Sequence, residues 1–185
     1  LAAPVILAFN AVTNLFGTGC SSMMSRCLGR KDPEKAKKTA AFAFWLAFLC
    51  AALISVVYLC FSTPVLNLLG ADDETREATK NYLFWTTACG ALPAILNVVL
   101  SNMVRSEGEA VHASIGLISG CLIDIVLDPF FVLENFLGLK AAGAGLATFI
   151  ANCCSMLYLV TVIIIKRKKT IVCLNPLKFR FKKGW

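Results

Sequence analysis

The sequence predicts an all-α, polytopic membrane helix bundle of about five transmembrane helices, and three observations carry that reading. Hydrophobic residues make up 58% of the chain and charged residues only 16%, where a soluble domain has about half and about a quarter. Mean hydropathy is +0.73. The apolar residues fall in long unbroken runs, and nearly all the charged ones fall between those runs.

A helix needs about 20 predominantly apolar residues to cross the hydrocarbon. Five segments qualify, near residues 1–24, 41–69, 82–104, 111–133 and 142–165. The first is the most polar, with Asn10, Asn14, Thr18, Ser21 and Ser22, so it faces protein or water rather than lipid. Its residues Asn10, Asn14, Thr18, Ser22 and Arg26 recur every four positions and line one face. The second is long enough to tilt or to project past the membrane. Asp32-Pro33-Glu34 ahead of it reads as a helix start, with Asp as N-cap and Pro at the first helical position. Gly70 after it is a helix stop. The third carries Pro93, Asn97, Ser101 and Arg105 on one face. The fourth holds Asp124, Asp128 and Pro129. The glycine-rich stretch 138–145 lets the chain turn and lets the fifth span approach a neighbour closely, and Thr148 and Asn152 share a face on that span. Each polar face serves either as interhelical hydrogen bonding or as the lining of a water-reachable interior.

The connectors set the orientation. Arg26, Arg30, Lys31, Lys35, Lys37 and Lys38 lie between the first two spans, Arg105 precedes the fourth, and eight Lys or Arg lie between Lys166 and Lys183. These alternate connectors hold 15 of the 18 basic residues, which the positive-inside rule assigns to the cytoplasm. The intervening connector is acidic, with Asp72, Asp73, Glu74 and Glu77. The fragment's N-terminus is then outside and its C-terminus cytoplasmic, in the plasma (inner) membrane. The chain begins at a Leu already inside an apolar stretch. Five spans with an outside start are what a six-helix unit leaves once its first helix is removed, and such a unit is one half of a two-lobed transporter. Residues 1–165 form the partial lobe and 166–185 a basic inter-lobe linker. That linker lies either on the anionic inner leaflet or free in water.

Composition excludes several functions. The net charge of +7 does not signal nucleic acid, because the basic residues cluster at span ends rather than on an amphipathic face. Nine cysteines form no C-x-x-C pair, and most sit in apolar runs as small hydrophobes. His112 has no metal-ligand spacing around it, and no phosphate loop or G-x-S-x-G elbow occurs. The chain is not expected to be an enzyme or to hold a cofactor.

Of the 11 acidic residues, only Asp124 and Asp128 fall within a span. An ionised carboxylate at the bilayer centre costs about 2.5–3.5 kcal/mol, and such residues face an internal cavity. Four residues apart, the two share one helical face about 6 Å from each other. Both cannot stay charged without compensation, so either one holds a proton or a cation sits beside them. Gly116, Gly120, Asp124 and Asp128 form a single ridge whose small half allows close helix contact. The pair lies in the outer half of the span. Pro129 cannot donate to the carbonyl of Ile125, which leaves a backbone oxygen beside the pair as a ligand for Na+. A helix kink without ligand role is the alternative.

The runs Met103-Val-Arg-Ser-Glu-Gly-Glu, Cys121-Leu-Ile-Asp-Ile-Val-Leu-Asp-Pro-Phe-Phe-Val and Gly138-Leu-Lys-Ala-Ala-Gly-Ala-Gly-Leu-Ala-Thr resemble the multidrug and toxic compound extrusion (MATE) transporters, as does Gly17-Thr-Gly-Cys-Ser-Ser-Met-Met-Ser-Arg. The resemblance implies a twelve-helix antiporter of two six-helix lobes, of which this chain holds helices two to six. It implies exchange of drugs or organic cations for H+ or Na+, with the first helix, the C-terminal lobe and the bilayer as partners. Asp128 matches the acidic residue of the family's N-lobe cation site, and Thr148 a hydroxyl near it. Asp124 stands where many members have Asn. Asn14, Asn97 and Asn152 are the candidate pathway lining. A lipid-linked oligosaccharide flippase of the same superfamily and a non-transporting membrane scaffold are the alternative functions.

Overall fold

The computed structural model describes residues 3–68, 73–132 and 140–166, and every element in it is helical. In chain order these are α1 (Ala3–Gly29), α2 (Pro33–Leu68), α3 (Asp73–Leu83), a π-helical turn (Phe84–Cys89), α4 (Ala91–Ser106), α5 (Ala110–Val132) and α6 (Lys140–Ile165). The expected stop at Gly70, Gly138 and nearly all of the 166–185 linker lie outside the described residues.

The α1–α2 junction is built by local chemistry. Lys31 takes φ 57°, and the amides of Lys31 and Asp32 donate to the carbonyls of Leu28 and Cys27, which closes α1 with a left-handed C-cap. Asp32 Oδ1 then accepts from the Lys35 amide at 3.1 Å, and the Asp32 carbonyl accepts from Ala36. Asp32 is therefore the N-cap the sequence announces. The helix it starts runs eight residues ahead of the apolar segment, because Glu34, Lys35 and Lys38 can stay exposed while α2 extends beyond the hydrocarbon. Farther along, Phe61 leaves helical geometry at φ −112°, ψ 20°. Pro64 lies three residues on and cannot supply its amide to the turn before it, so the helix kinks there.

Three helices are long and apolar enough to cross a membrane: α2 over Pro33–Ser62, α5 and α6. α3 with the π turn meets α4 at Gly90 with a 50° bend and makes a fourth span if the two are taken together, where the sequence predicts a span near 82–104. The break follows from the π turn, which brings the carbonyl oxygens of Trp85 and Thr86 within 2.7 and 2.6 Å of where a Cβ on residue 90 would stand. Only glycine fits that point. α1 has the length of a span but not the apolarity. Its face of Asn10, Asn14, Thr18, Ser22 and Arg26 is exposed along its whole length.

α4 is the hub of the bundle, packing against α1, α2, α5 and α6. Accordingly Ile95, Val99, Leu100 and Met103 are fully buried, where a helix with one lipid face would bury a single stripe. The hub carries buried polar groups too, and Asn97 and Ser101 are both partnered. Asn97 Nδ2 donates to Asn152 Oδ1 at 3.2 Å, and the Asn152 amide donates to the Thr148 carbonyl at 2.9 Å. Ser155 Oγ lies 2.8 Å from Asn97 Oδ1 and 2.5 Å from the Gly116 carbonyl, so its single proton is shared between α4 and α5. The knot fixes α6 against α4 and α5 at one level.

The closest packing is between α5 and α6. A Cβ on Gly116 would stand 2.8 Å from Leu159 and 3.2 Å from Tyr158, and one on Gly120 3.0 Å from Ser155. Replacing Gly120 by Val in the full-length protein is expected to cost about 1–3 kcal/mol through overpacking, read as a lower melting temperature in detergent, whereas Gly19→Ala, in open space, leaves it unchanged. Removing the α2 cap with Asp32→Ala should cost about 1 kcal/mol and speed amide exchange at Lys35 and Ala36 without altering exchange in α5.

Candidate functional site

Asp124 and Asp128 continue the glycine ridge of α5 toward its C-terminal end. Because Gly116 and Gly120 press α5 onto α6, the next two positions of the same ridge turn into the α5–α6 seam instead of lipid. The flanking Ile125, Val126 and Phe130 remain exposed, as lipid-facing residues do. The carboxylates lie one helical turn apart on α5, and Thr148 stands near Asp124 on α6, where its hydroxyl donates to the Ala144 carbonyl at 3.0 Å. The structure thus brings together three of the residues that the sequence singles out: Asp124, Asp128 and Thr148.

A fourth member, Tyr82, was not legible as a site residue. It sits near the end of α3, and its phenol lies close enough to feel the charge of both carboxylates. Gly145 explains its approach: a Cβ there would stand 2.9 Å from the Tyr82 carbonyl and 3.0 Å from Trp85 Cβ. Gly143 does the same for α5, with the Phe131 carbonyl 2.5 Å from a Cβ position. The two glycines of α6 admit the backbones that bracket the carboxylates. Trp85 against Phe149, ring centroids 6.2 Å apart, holds the π turn on α6.

The carboxylates are left wanting a partner. Among the described residues, three buried side-chain polar atoms have no hydrogen bond, and two of them are Asp124 Oδ1 and Asp128 Oδ1; the third is the Tyr58 hydroxyl on α2. No Lys, Arg or His among the described residues forms an ion pair with either aspartate. A buried acceptor without a donor costs about 1–3 kcal/mol, and more when charged. Two such oxygens on one helical face suit a proton or a small hard cation, which would satisfy both. Pro129 stays within a continuous α5, so the Ile125 carbonyl lacks its usual donor and adds an oxygen to that set. The oxygen-only chemistry fits Na+ and not a soft transition metal, and no group of three His, Cys, Asp or Glu side chains occurs among the described residues.

The remaining candidates lie elsewhere. Asn97 and Asn152 spend their side chains on the α4–α6 knot and bear on the pair only through the Thr148 backbone. Asn14 is exposed on α1, whose principal partners are α2 and α4.

The MatE family model matches residues 1–130. The chain is 31% identical over 160 residues to the multidrug export protein MepA of Staphylococcus aureus, covering 86% of this chain and 35% of that protein. It is 32% identical over 163 residues to MepA of Staphylococcus haemolyticus, with the same coverage. Among solved structures it is similar to a multidrug resistance MATE family transporter of the MOP superfamily in an inward-facing conformation, with a TM-score of 0.89 and 27% identity over 98% of this chain and 40% of the other. A MOP superfamily transporter from Pyrococcus furiosus gives a TM-score of 0.88 at 28% identity, over 97% and 39%. The chain spans about a third of the length of the curated relatives it matches. With its apolar helices and a family model covering most of its length, the chain is part of a multi-pass membrane protein and belongs to the MatE family.

Proposed function

We propose that this chain is most of the first lobe of a multidrug efflux antiporter that exchanges drugs or organic cations for H+ or Na+ by alternating access. The observation that carries the proposal is the pair of unpartnered, buried carboxylate oxygens on Asp124 and Asp128 in a membrane-crossing helix. The relatives' printed description as multidrug export proteins supports the choice of drugs as cargo.

The chemistry follows from charge balance. With both aspartates ionised, the seam carries two uncompensated negative charges in a low-dielectric bundle, so the state that faces the higher H+ or Na+ concentration fills with cation. Filling removes the repulsion across one helical turn of α5, and release on the other side restores it. Asp128 is the principal acceptor, Asp124 the second, and Thr148 orients the Asp124 carboxylate. The Tyr82 phenol is a donor that can follow the pair as its charge changes. The basic connectors put the α1–α2 junction, the α4–α5 turn and the α6 C-terminus in the cytoplasm, which leaves the aspartates in the half of α5 nearer the outside.

In vesicles carrying the full-length protein under an imposed Na+ or pH gradient, Asp128→Asn is expected to reduce driven efflux of an organic cation at least tenfold, to background. Asp124→Asn is expected to keep efflux but change its dependence on Na+ or pH. Efflux unchanged in rate and ion dependence in both variants would contradict the proposal.

A further inference from the structure

The corner where α1 meets α2 concentrates positive charge. Six basic residues lie between Arg26 and Lys38, against two acidic ones, Asp32 and Glu34. Both acids are matched within the corner. Asp32 Oδ2 lies 3.5 Å from Lys35 Nζ, and Glu34 Oε1 lies 3.3 Å from Lys37 Nζ. Arg30, Lys31 and Lys38 are exposed and form no ion pair among the described residues. Lys31 stands in the left-handed cap of α1, and the Asp32 cap starts α2 directly after it. The unmatched charge therefore sits at a fixed junction and not on a long loop.

Lys38 also heads an apolar stripe. Lys38, Phe42, Trp45, Leu49 and Leu53 follow one another at steps of three or four residues, which puts them on one face of α2. That face is open, with Phe42, Trp45, Leu49 and Leu53 exposing 48, 36, 61 and 63% of their surface. At 1.5 Å per residue, Phe42 to Leu53 covers about 16 Å, which is half of the roughly 30 Å hydrocarbon core and so one leaflet. Trp45 is held by edge contacts with Phe44 and Phe48, ring centroids 6.0 and 5.7 Å away. It stands two turns below Lys38, where indoles gather at the membrane interface. The opposite face of α2 is different in kind: Ala40, Ala43, Ala47 and Ala51 are buried in the bundle core. Small residues are what helix–helix contacts in a membrane use, and α2 has spent its own on α1 and α4. A stripe of large aliphatic and aromatic side chains under unmatched cations suits lipid better than another helix.

We propose that this corner and stripe are a docking surface for an anionic phospholipid of the cytoplasmic leaflet. The headgroup phosphate sits on Lys38, Arg30 and Lys31 add their field above it, and an acyl chain lies along Phe42, Leu49 and Leu53. Charge complementarity selects the occupant. An anionic headgroup brings a net negative charge to the three unmatched cations, whereas a zwitterionic one brings its own cation with it and gains less. The lysine stem can lie along the stripe while its ammonium reaches the phosphate. Docking requires only that α2, which is long and apolar enough to span, crosses the bilayer with this corner in the cytoplasm, whatever the lobe transports.

The test uses full-length protein in nanodiscs of mixed phosphatidylcholine and phosphatidylglycerol. One of the two lipids, at equal fraction in each case, carries bromine on its acyl chains, which quenches indole emission by contact. The emission of Trp45 is the difference between wild type and Trp45→Phe. Brominated phosphatidylglycerol is expected to quench Trp45 at least threefold more strongly than brominated phosphatidylcholine. The Arg30→Gln/Lys31→Gln/Lys38→Gln variant should bring that ratio to one. Lys38→Arg keeps the charge and should keep the ratio, which separates loss of charge from loss of fold. Added inorganic phosphate should leave the ratio unchanged, and its collapse would mean a site for free anions and overturn the lipid surface. A ratio of one in wild type, or a ratio that the triple variant does not move, would overturn it too. So would absence of quenching by either lipid, since another protein segment would then cover the stripe.

Discussion

Close contact between α5 and α6 is possible because Gly116 and Gly120 leave no Cβ where Leu159, Tyr158 and Ser155 stand. That contact dictates much of what surrounds it. It commits one ridge of α5 to the protein interior, and the ridge continues as Asp124 and Asp128. In lipid, helices gain nothing by hiding apolar area from tails of the same polarity, so packing and interhelical hydrogen bonds must hold them. The glycine ridge supplies the packing. The hydrogen bonds come from Ser155, whose hydroxyl lies between the Gly116 carbonyl and Asn97. The knot with Asn152 then fixes α6 against the α4 hub. Polar groups that read as possible pathway lining thus act as fasteners that hold the acidic ridge in place.

The aspartates depart from this economy. Every other buried polar side-chain atom among the described residues has a partner except the Tyr58 hydroxyl. A bundle that satisfies Asn97, Ser101 and Ser155 could satisfy two carboxylates as well, with a Lys or Arg one turn away. Leaving the two oxygens without a donor costs stability, which the exchangeable cation proposed above would offset. Tyr82 and Thr148 fit that account: both are hydroxyls that can turn toward or away from a carboxylate, where a fixed cation would hold it permanently. α1 makes the complementary case. Its polar face is exposed over its length, which a lipid contact would not tolerate.

The carboxylates and the glycine ridge were legible in the sequence because they break an apolar run at helical spacing, and nothing else in the span competes with that signal. The Asp32 cap was legible for a similar reason, since its chemistry is local. The bend at Gly90 was not. The run Phe84-Trp85-Thr86-Thr87-Ala88-Cys89 reads as continuous helix, and its π geometry depends on distant partners, with Ser55 donating to the Thr87 carbonyl at 3.4 Å and Trp85 resting on Phe149. Tyr82 escaped notice with it, because at the end of a polar helix it looks like an interfacial aromatic. Asn97 and Asn152 announced polar faces, but their choice of each other is set by how α4 crosses α6, which no pattern within either helix records.

The account turns on whether the aspartate pair takes up and gives up positive charge. The most direct measurement is proton release in weakly buffered, Na+-free solution when ethidium, an organic cation, is added to the detergent-solubilised full-length protein. Without Na+, protons are the only small cations available to neutralise the pair. Binding of the organic cation should then release protons from wild type and none from the Asp124→Asn/Asp128→Asn double variant. Equal release from both proteins, at equal ethidium occupancy, would contradict the account.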